Sequence, residues 1–514
     1  MVGHGYIDVR DESNNPLNGT LEWLVNEDKN ADLNLKNGTN NWHEREDVWI
    51  MCNRQAIGFD VETLEYTLGM FLCYPLGMIM ASLPYGKIKH LFSFILGAFL
   101  LQFTIGVQWI HQLITSIVCY FLFLILPAKV SKIVVPVFCM VYMTAGHLHR
   151  QYINYLGWDM DFTGPQMVLT IKSHALAYNL FDGDELTKKG KDGVGRATKK
   201  CTPFAVPQLP GLLEFLGYTF CFSNVLAGPA FEYKIYADAC DGNLLYKDGK
   251  PRGEIPSRVI PTLKPFLASL FFMALFVVGN GMFPILDPED PQNNIPVVIS
   301  DSMLDNPWWY RYGYAWVALF CIRQKYYFAW KNAEGANNIW YAGFEGFDKD
   351  GKVLGWDNAN NTNTLQFEFA PNLRTLSAEW NRKTANWLNR YVYIRTNGSL
   401  TATYAMSAFW HGFYPGYYFF FLSVPMITMC ERVGRKKLTP LFKPVLGNAV
   451  WYLICWASTS FIVEYMVMSF QLLAFDWGIA YWKSQYFFGH ILCLVFYGVV
   501  SCVPTPKGDK EKTK

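Results

Sequence analysis

SAEWNRKTANWLNRYVYIRTNGSLTATYAMSAFWHGFYPG, residues 377–416, runs from a polar, basic segment around Asn381 into an apolar one. A single histidine, His411, sits in the apolar part, flanked by Phe409, Trp410, Phe413 and Tyr414. A titratable group in an apolar span has lost the water that would solvate it, so such a residue is usually kept for function. His411 is therefore the first catalytic candidate. Imidazole takes up a proton near neutral pH, and dry surroundings favour the neutral, proton-accepting form that a general base requires. Asn381 offers an uncharged amide that donates or accepts a hydrogen bond without adding a second titration. A histidine satisfied by a backbone carbonyl and an asparagine capping a helix would fit the same spacing, and spacing alone does not choose.

Working outward, the chain of 514 residues is 51% hydrophobic and 17% aromatic, and its apolar residues come in long blocks. That pattern predicts an all-α integral membrane protein. A formal net charge of only +2 gives no strong attraction to nucleic acid. The 12 cysteines are scattered, with no CxxC pair and no His/Cys cluster at metal-ligand spacing, so neither a disulfide framework nor a metal site is indicated. Apolar blocks at 64–84, 91–109, 110–127, 132–147, 262–284, 312–330, 447–470 and 483–503 each approach the roughly 20 residues needed to cross a bilayer as a helix. With re-entrant pieces added, the expectation is a polytopic bundle of about nine to eleven membrane segments around a central catalytic chamber.

Charge between the blocks sets orientation. Lys87 and Lys89 follow the first block and Lys129 and Lys132 the third, while 108–111 carries no lysine or arginine. By the positive-inside rule the first and third blocks end in the cytosol. A polar arm, 1–60, is then luminal, and its Asn18 and Asn37 sequons become glycan acceptors. The membrane domain is expected over 61–504, followed by a cytosolic tail, 505–514, ending in Lys510-Glu511-Lys512-Thr513-Lys514. That ending is similar to the dilysine signal that returns membrane proteins to the endoplasmic reticulum.

Several stretches are too polar to be simple spans. His147 to Pro165 reads either as a luminal loop or as the lining of a pocket, since irregular backbone at membrane depth must be covered by protein or water. Residues 166–181 read as a short amphipathic helix, and Lys188 to Lys200 as a solvated basic connector near anionic lipid. The block 211–229, ending at Gly228-Pro229, has basic residues on both sides and reads as re-entrant. Asp287, Glu289, Asp290, Asp301 and Asp305 mark a luminal loop. Residues 331–376 read as a polar cytosolic loop, and 377–395 as an interfacial helix whose Arg382, Lys383, Arg390 and Arg395 face anionic lipid or the phosphates of a donor. Positive charge at both ends of 401–430 predicts a bent or re-entrant pair of helices with His411 at the bend.

Trp380-Asn381-x-x-Thr384-x-x-Trp387-Leu388-x-Arg390-Tyr391-Val392-Tyr393, followed by Ser407-Ala408-Phe409-Trp410-His411-Gly412, resembles the signature of the membrane-bound O-acyltransferase superfamily. The WDxDxTGPQMxLTxK run at 158–172, Leu226 to Tyr233, and RxKYYxAWxxxEG from Arg323 are similar to its lysophospholipid acyltransferases, most of all the lysophosphatidylcholine branch. The resemblance implies that His411 and Asn381 are the catalytic pair. It implies substrate contacts for Trp380, Thr384, Trp387, Arg390, Tyr393 and Trp410, with Gly228 and Pro229 beside an acyl tunnel. It further implies acyl-CoA as co-substrate with no cofactor and no metal, a lysophospholipid acceptor esterified at sn-2, polyunsaturated donors, and residence in the endoplasmic reticulum membrane. No GxSxG elbow or Cys/His pair competes as a nucleophile, which fits direct transfer. The rival readings are an O-acyltransferase for a protein or another lipid, and a transporter; no internal repeat with paired broken helices supports the latter.

Overall fold

The computed structural model describes residues 61–157, 159–286 and 295–505, nearly all within one compact unit that begins at Glu65. The arm with Asn18 and Asn37, Trp158, the residues Asp287, Glu289 and Asp290, and the terminal lysines lie outside the described residues. Among the described residues the chain is helical apart from turns, isolated bridges and one antiparallel pair of two-residue strands, Tyr246–Lys247 and Lys250–Pro251.

Four helices open the fold: α1 (Val61–Ser82), α2 (Lys87–Ile105), α3 (Trp109–Ile125) and α4 (Ala128–Ile153). They follow the first four apolar blocks. Helices α2 and α3 lie in one 39-residue apolar stretch that would rise roughly 58 Å if straight, about twice the hydrocarbon thickness, and Gly106 at φ +58° divides it. Ile95, Phe99, Phe121, Leu124, Val137 and Val141 are exposed on these helices, as residues facing lipid acyl chains should be. Helix α5 (Thr163–Gly193) follows, then α6 (Val259–Met282) packed along α7 (Trp308–Ile339). Helices α8 (Arg382–Leu388), α9 (Leu400–His411) and α10 (Pro415–Lys437) carry the central stretch. Helix α11 (Thr439–Leu472), interrupted at Gly447, and the pair α12 (Phe475–Ser484) and α13 (Phe488–Cys502), bent by 67°, complete the chain.

Five helical stretches among the described residues are long and apolar enough to cross a membrane, and the α12–α13 pair makes a sixth. The protein is a polytopic, all-α membrane protein. Other expected segments are helices whose polar residues turn inward; on α7, Arg311, Gln324, Asn332, Asn337 and Asn338 are all buried.

Four expectations change. The short amphipathic helix at 166–181 is instead the 31-residue α5, buried around most of its circumference as far as Gly183 and interrupted only at Gly190 (φ +67°). Its polar residues are satisfied by protein: Lys172 Nζ donates to the Tyr218 carbonyl (2.8 Å) and to Asn224 Oδ1 (2.6 Å), and Asp182 accepts from Arg395. The basic run is solvated as expected but helical rather than a loop: exposed Lys188 and Lys189 pair with Asp184 and Glu185 one turn back, and Arg196–Cys201 is helical. The interfacial helix at 377–395 is three pieces, Leu373–Glu379, α8, and a π-turn over Asn389–Tyr393, broken at Asn381. Residues 331–376 are no plain loop: α7 extends to Ile339, and Asn361 and Thr362 are buried.

After the short helix Leu212–Thr219, residues 220–232 are irregular and almost wholly buried in protein, which is where unpaired backbone survives. The buried apolar residues form three clusters. One gathers α1–α3, the 215–245 region and α7; a second gathers α7, α10, α11 and α12. The third and smallest unites Met140, Met143, Ile171, Ala175, Trp387, Tyr391 and Trp410, and it underlies the central stretch.

Candidate active site

Helix α9 starts at Ser399, whose hydroxyl accepts a hydrogen bond from the Ala402 amide (3.2 Å), and ends at His411. Gly412 stops it at φ +116°, a conformation that favours glycine. The pair of helices predicted from charge is therefore present, with His411 at the break and α10 restarting at Pro415, a favoured first helical residue. The imidazole is walled by aromatic rings: Phe470 at 5.0 Å, Phe421 at 5.5 Å and Tyr417 at 5.6 Å between centroids. Trp410 stands edge-on to the same imidazole (4.8 Å between centroids), donates from Nε1 to the Met167 carbonyl (3.1 Å) and packs on Trp387 (6.0 Å).

Asn381 is held from the opposite direction. Its φ of +45° and ψ of +54° place it in the left-handed region, and its Oδ1 accepts from Asn361 Nδ2 (3.0 Å). Asn361 in turn takes the Lys383 amide on its own Oδ1 (3.0 Å) and the Arg382 amide on its carbonyl (2.8 Å). The 361 side chain thus fixes both the amide of Asn381 and the start of α8. In sequence Asn361 stands only as part of an Asn360-Asn361-Thr362 sequon in a polar run; a buried partner for Asn381 left no local signal. Trp380 is packed by Trp330 and Phe367 (4.9 Å each), Tyr326 (5.5 Å) and Tyr327 (5.9 Å).

No hydrogen bond joins His411 to Asn381 among the described residues. Aromatic rings surround each of them: Tyr417 contacts His411, and Tyr326 packs on Trp380, the residue before Asn381. Thr384 is half-buried on α8, and Tyr393 lies beside Gly398. Trp387 is buried with its Nε1 unpartnered. Gly228 lines a separate small cavity with Asn224 and Asn332, whose residues include neither His411 nor Asn381. Glu232 ties that region to the central stretch, accepting from Arg390 (2.8 Å), Tyr391 (2.9 Å) and Asn179 (2.9 Å).

The basic residues of 382–395 are not a face open to lipid or phosphate. Arg382 makes a two-pronged pair with Asp357 (2.7 and 2.8 Å), Lys383 Nζ donates to the Asp357 carbonyl (2.8 Å), Arg390 pairs with Glu232, and Arg395 with Asp182. Burial raises the Asp357 carboxyl, but the Arg382 hydrogen bonds and charge outweigh it and hold the group below its ordinary value. Burial pushes the Lys383 ammonium down to about 8, Asp357 only partly opposing it. Sequence reasoning missed these carboxylates because each lies 25 or more residues away.

One residue of the stretch read as a luminal loop or pocket lining stands at the break itself. His147, near the end of α4, lies against Gly412: a Cβ built there would stand 3.3 Å from its ring. Gly412 directly follows His411, so the His147 ring flanks the same break as the candidate base. Tyr414 Oη accepts from the Leu156 amide (2.9 Å), so the chain after α4 is pinned to the same break. Among the described residues no group of three or more His, Cys, Asp or Glu side chains is arranged to hold a metal ion. The arrangement offers one imidazole and one oriented amide. These suit proton transfer and hydrogen bonding to an oxygen that gains charge.

The family model described as MBOAT, membrane-bound O-acyltransferase family, matches residues 151–468. Over 436 residues the chain is 31% identical to the "Membrane-bound glycerophospholipid O-acyltransferase 2" of Gallus gallus, covering 82% of this chain and 81% of that protein. It is 29% identical over 481 residues to the "Lysophospholipid acyltransferase" of Schizosaccharomyces pombe, covering 88% and 89%. Against the "Lysophospholipid acyltransferase 6" of Drosophila melanogaster it is 30% identical over 460 residues; the match covers 85% of this chain and 61% of that protein's length.

Proposed function

The chain belongs to the membrane-bound O-acyltransferase family, and from that premise we propose that it transfers an acyl group from acyl-CoA to the free hydroxyl of a lysophospholipid. The observation that carries the reading is His411 at the α9–α10 break, ringed by aromatic side chains, with the Asn381 amide fixed at the start of α8. The names of the relatives favour a lysophospholipid over a protein acceptor.

In the reaction, His411 takes the proton of the acceptor hydroxyl as its oxygen bonds to the thioester carbonyl carbon. Asn381 holds the reacting groups or donates to the oxyanion. The C–S bond then breaks, and the proton on His411 neutralises the departing CoA thiolate. No acyl-enzyme intermediate is needed. Lysophosphatidylcholine is the first-choice acceptor, with lysophosphatidylethanolamine and lysophosphatidylserine next. The position acylated is sn-2, the donors are polyunsaturated, and the setting is the endoplasmic reticulum membrane.

The test is transfer from a labelled polyunsaturated acyl-CoA to a panel of lysophospholipids in micelles, by wild type, His411→Ala and Asn381→Ala. The expected loss for His411→Ala is about 10²- to 10⁴-fold in kcat at unchanged thermal stability. Full activity in that variant would remove His411 from the chemistry. A wild type inert towards every lysophospholipid would overturn the acceptor.

A further inference from the structure

Nε2 of His147 is buried and has no hydrogen-bond partner. A buried polar atom without a partner is uncommon in folded proteins and asks for a water or a ligand. Its ring lies against Gly412, the residue after the proposed base. The imidazole is therefore fixed against the reaction centre with one nitrogen left to offer.

Which substrate meets it follows from charge. The start of α4 carries Lys129 and Lys132, and Lys132 lies roughly 22 Å along the helix from His147 at 1.5 Å per residue. A polyanionic CoA head is drawn to that basic end. At the His147 end the nearby cation, Arg150, is already paired with Asp161 (3.0 Å), and Asp159 accepts from Asn154 (2.6 Å). That end offers a polyanion no unpaired lysine or arginine among residues 147–157 and 159–165. It suits a lipid with a single phosphodiester whose glycerol must reach His411.

We propose that His147 is the acceptor-binding residue of this site, its Nε2 bonding an oxygen of the glycerophosphate of a single-chain phospholipid. The inference rests on the acyl-transfer reading given above. Binding there would place the acceptor hydroxyl beside His411 and leave the donor to enter from the basic side.

The experiment uses the full chain in micelles and compares wild type, His147→Phe, which keeps a flat ring, and His147→Gln, which restores a polar nitrogen or oxygen. KM is measured separately for lysophosphatidylcholine and for acyl-CoA. His147→Phe should raise the KM for lysophosphatidylcholine by about five- to tenfold, as for loss of one hydrogen bond, and leave that for acyl-CoA within about twofold. His147→Gln should recover most of the difference. Equal KM values in all three proteins, or a fall in kcat with both KM values unchanged, would overturn the assignment and leave His147 as packing for α9.

A second readout is independent of turnover: the thermal shift produced by lysophosphatidylcholine and by acyl-CoA in the His411→Ala background. The lysophosphatidylcholine shift should disappear on adding His147→Phe while the acyl-CoA shift persists; persistence of both would sink the proposal. If wild type transfers no acyl group, the acyl-transfer reading fails, and this shift alone still decides whether His147 binds the lipid.

Discussion

Asn381 holds a backbone conformation that L-residues other than asparagine and aspartate rarely adopt, and its side chain also serves the site. The two roles separate by substitution. Asn381→Gly keeps the left-handed turn and removes the amide, so activity should fall by about 10- to 100-fold, with stability lowered only by the acceptor that buried Asn361 loses. Asn381→Ala removes the amide and strains the turn, adding about 1 kcal/mol of destabilisation. Kinetics beside thermal unfolding would tell them apart; equal stability of the two variants would mean the turn relaxes. Two residues on, Lys383 gives a pH signature. Its folded-state pKa of about 8 lies below the ordinary lysine value, so the unfolded chain binds more protons between the two. Stability should therefore rise with pH from about 8 to about 10 and be flat below, where the ammonium is charged in both states. In Lys383→Met that rise should be missing from the difference between wild-type and variant unfolding curves. An unchanged difference across the window would show that the ammonium is solvated.

The break between α9 and α10 is set by backbone packing as much as by side chains. The Gly416 amide donates to the Leu473 carbonyl (2.8 Å), and a Cβ on Gly416 would stand 2.1 Å from the Ser469 carbonyl and 2.9 Å from Leu473 Cα. Those obstacles are backbone, so Gly416→Ala must push α10 off the end of α11. A cost of about 1–3 kcal/mol is expected, with loss of acyl transfer because His411 moves with the break. Gly498, on α13 with open space around it, is the control: Gly498→Ala should be neutral or add up to about 1 kcal/mol by helix propensity. Similar melting temperatures for both variants would refute the packing account. This break was legible in the sequence, because Gly412, Pro415 and Gly416 punctuate an apolar run between two basic ends. Helix α5 was not. Its burial depends on partners such as Asn224 for Lys172 and Arg395 for Asp182, 52 and 213 residues away, and periodicity reports a polar position without saying what faces it. For the same reason the segment 382–395 looked like an open basic face, and Asn361, which orients Asn381, went unseen, while His147 stood out only as the start of a loop or pocket lining.

Across the whole molecule, the central stretch belongs to the third apolar cluster and packs Tyr404 on the second, so its tie to the region of the first depends on polar contacts. Glu232 is the clearest of these. It is 6% exposed and receives Arg390 and Tyr391 from the central stretch and Asn179 from α5, while its neighbour Phe231 belongs to the first cluster. Removing one partner of a buried ion pair leaves the other charge in a poorly solvating interior, which costs more than the pair contributes. Glu232→Ala strands the Arg390 guanidinium and the Asn179 amide nitrogen, while the Tyr391 hydroxyl keeps Asn179 Oδ1 (2.7 Å), and should destabilise the protein by about 3–5 kcal/mol. Glu232→Gln preserves shape and part of the bonding, and should cost about 1–3 kcal/mol. The Lys188–Asp184 pair at the far end of α5 has the same nominal chemistry, but Lys188 is exposed, so Lys188→Ala should stay within about 0.5 kcal/mol of wild type. Unfolding all three in one detergent, with acyl transfer assayed at a temperature where each remains folded, separates stability from placement. A Glu232→Ala protein as stable as Lys188→Ala would show that the central stretch is held without this network. Loss of activity in Glu232→Gln while it remains folded would show that the network also sets the register of the 382–393 segment, and with it the position of Asn381.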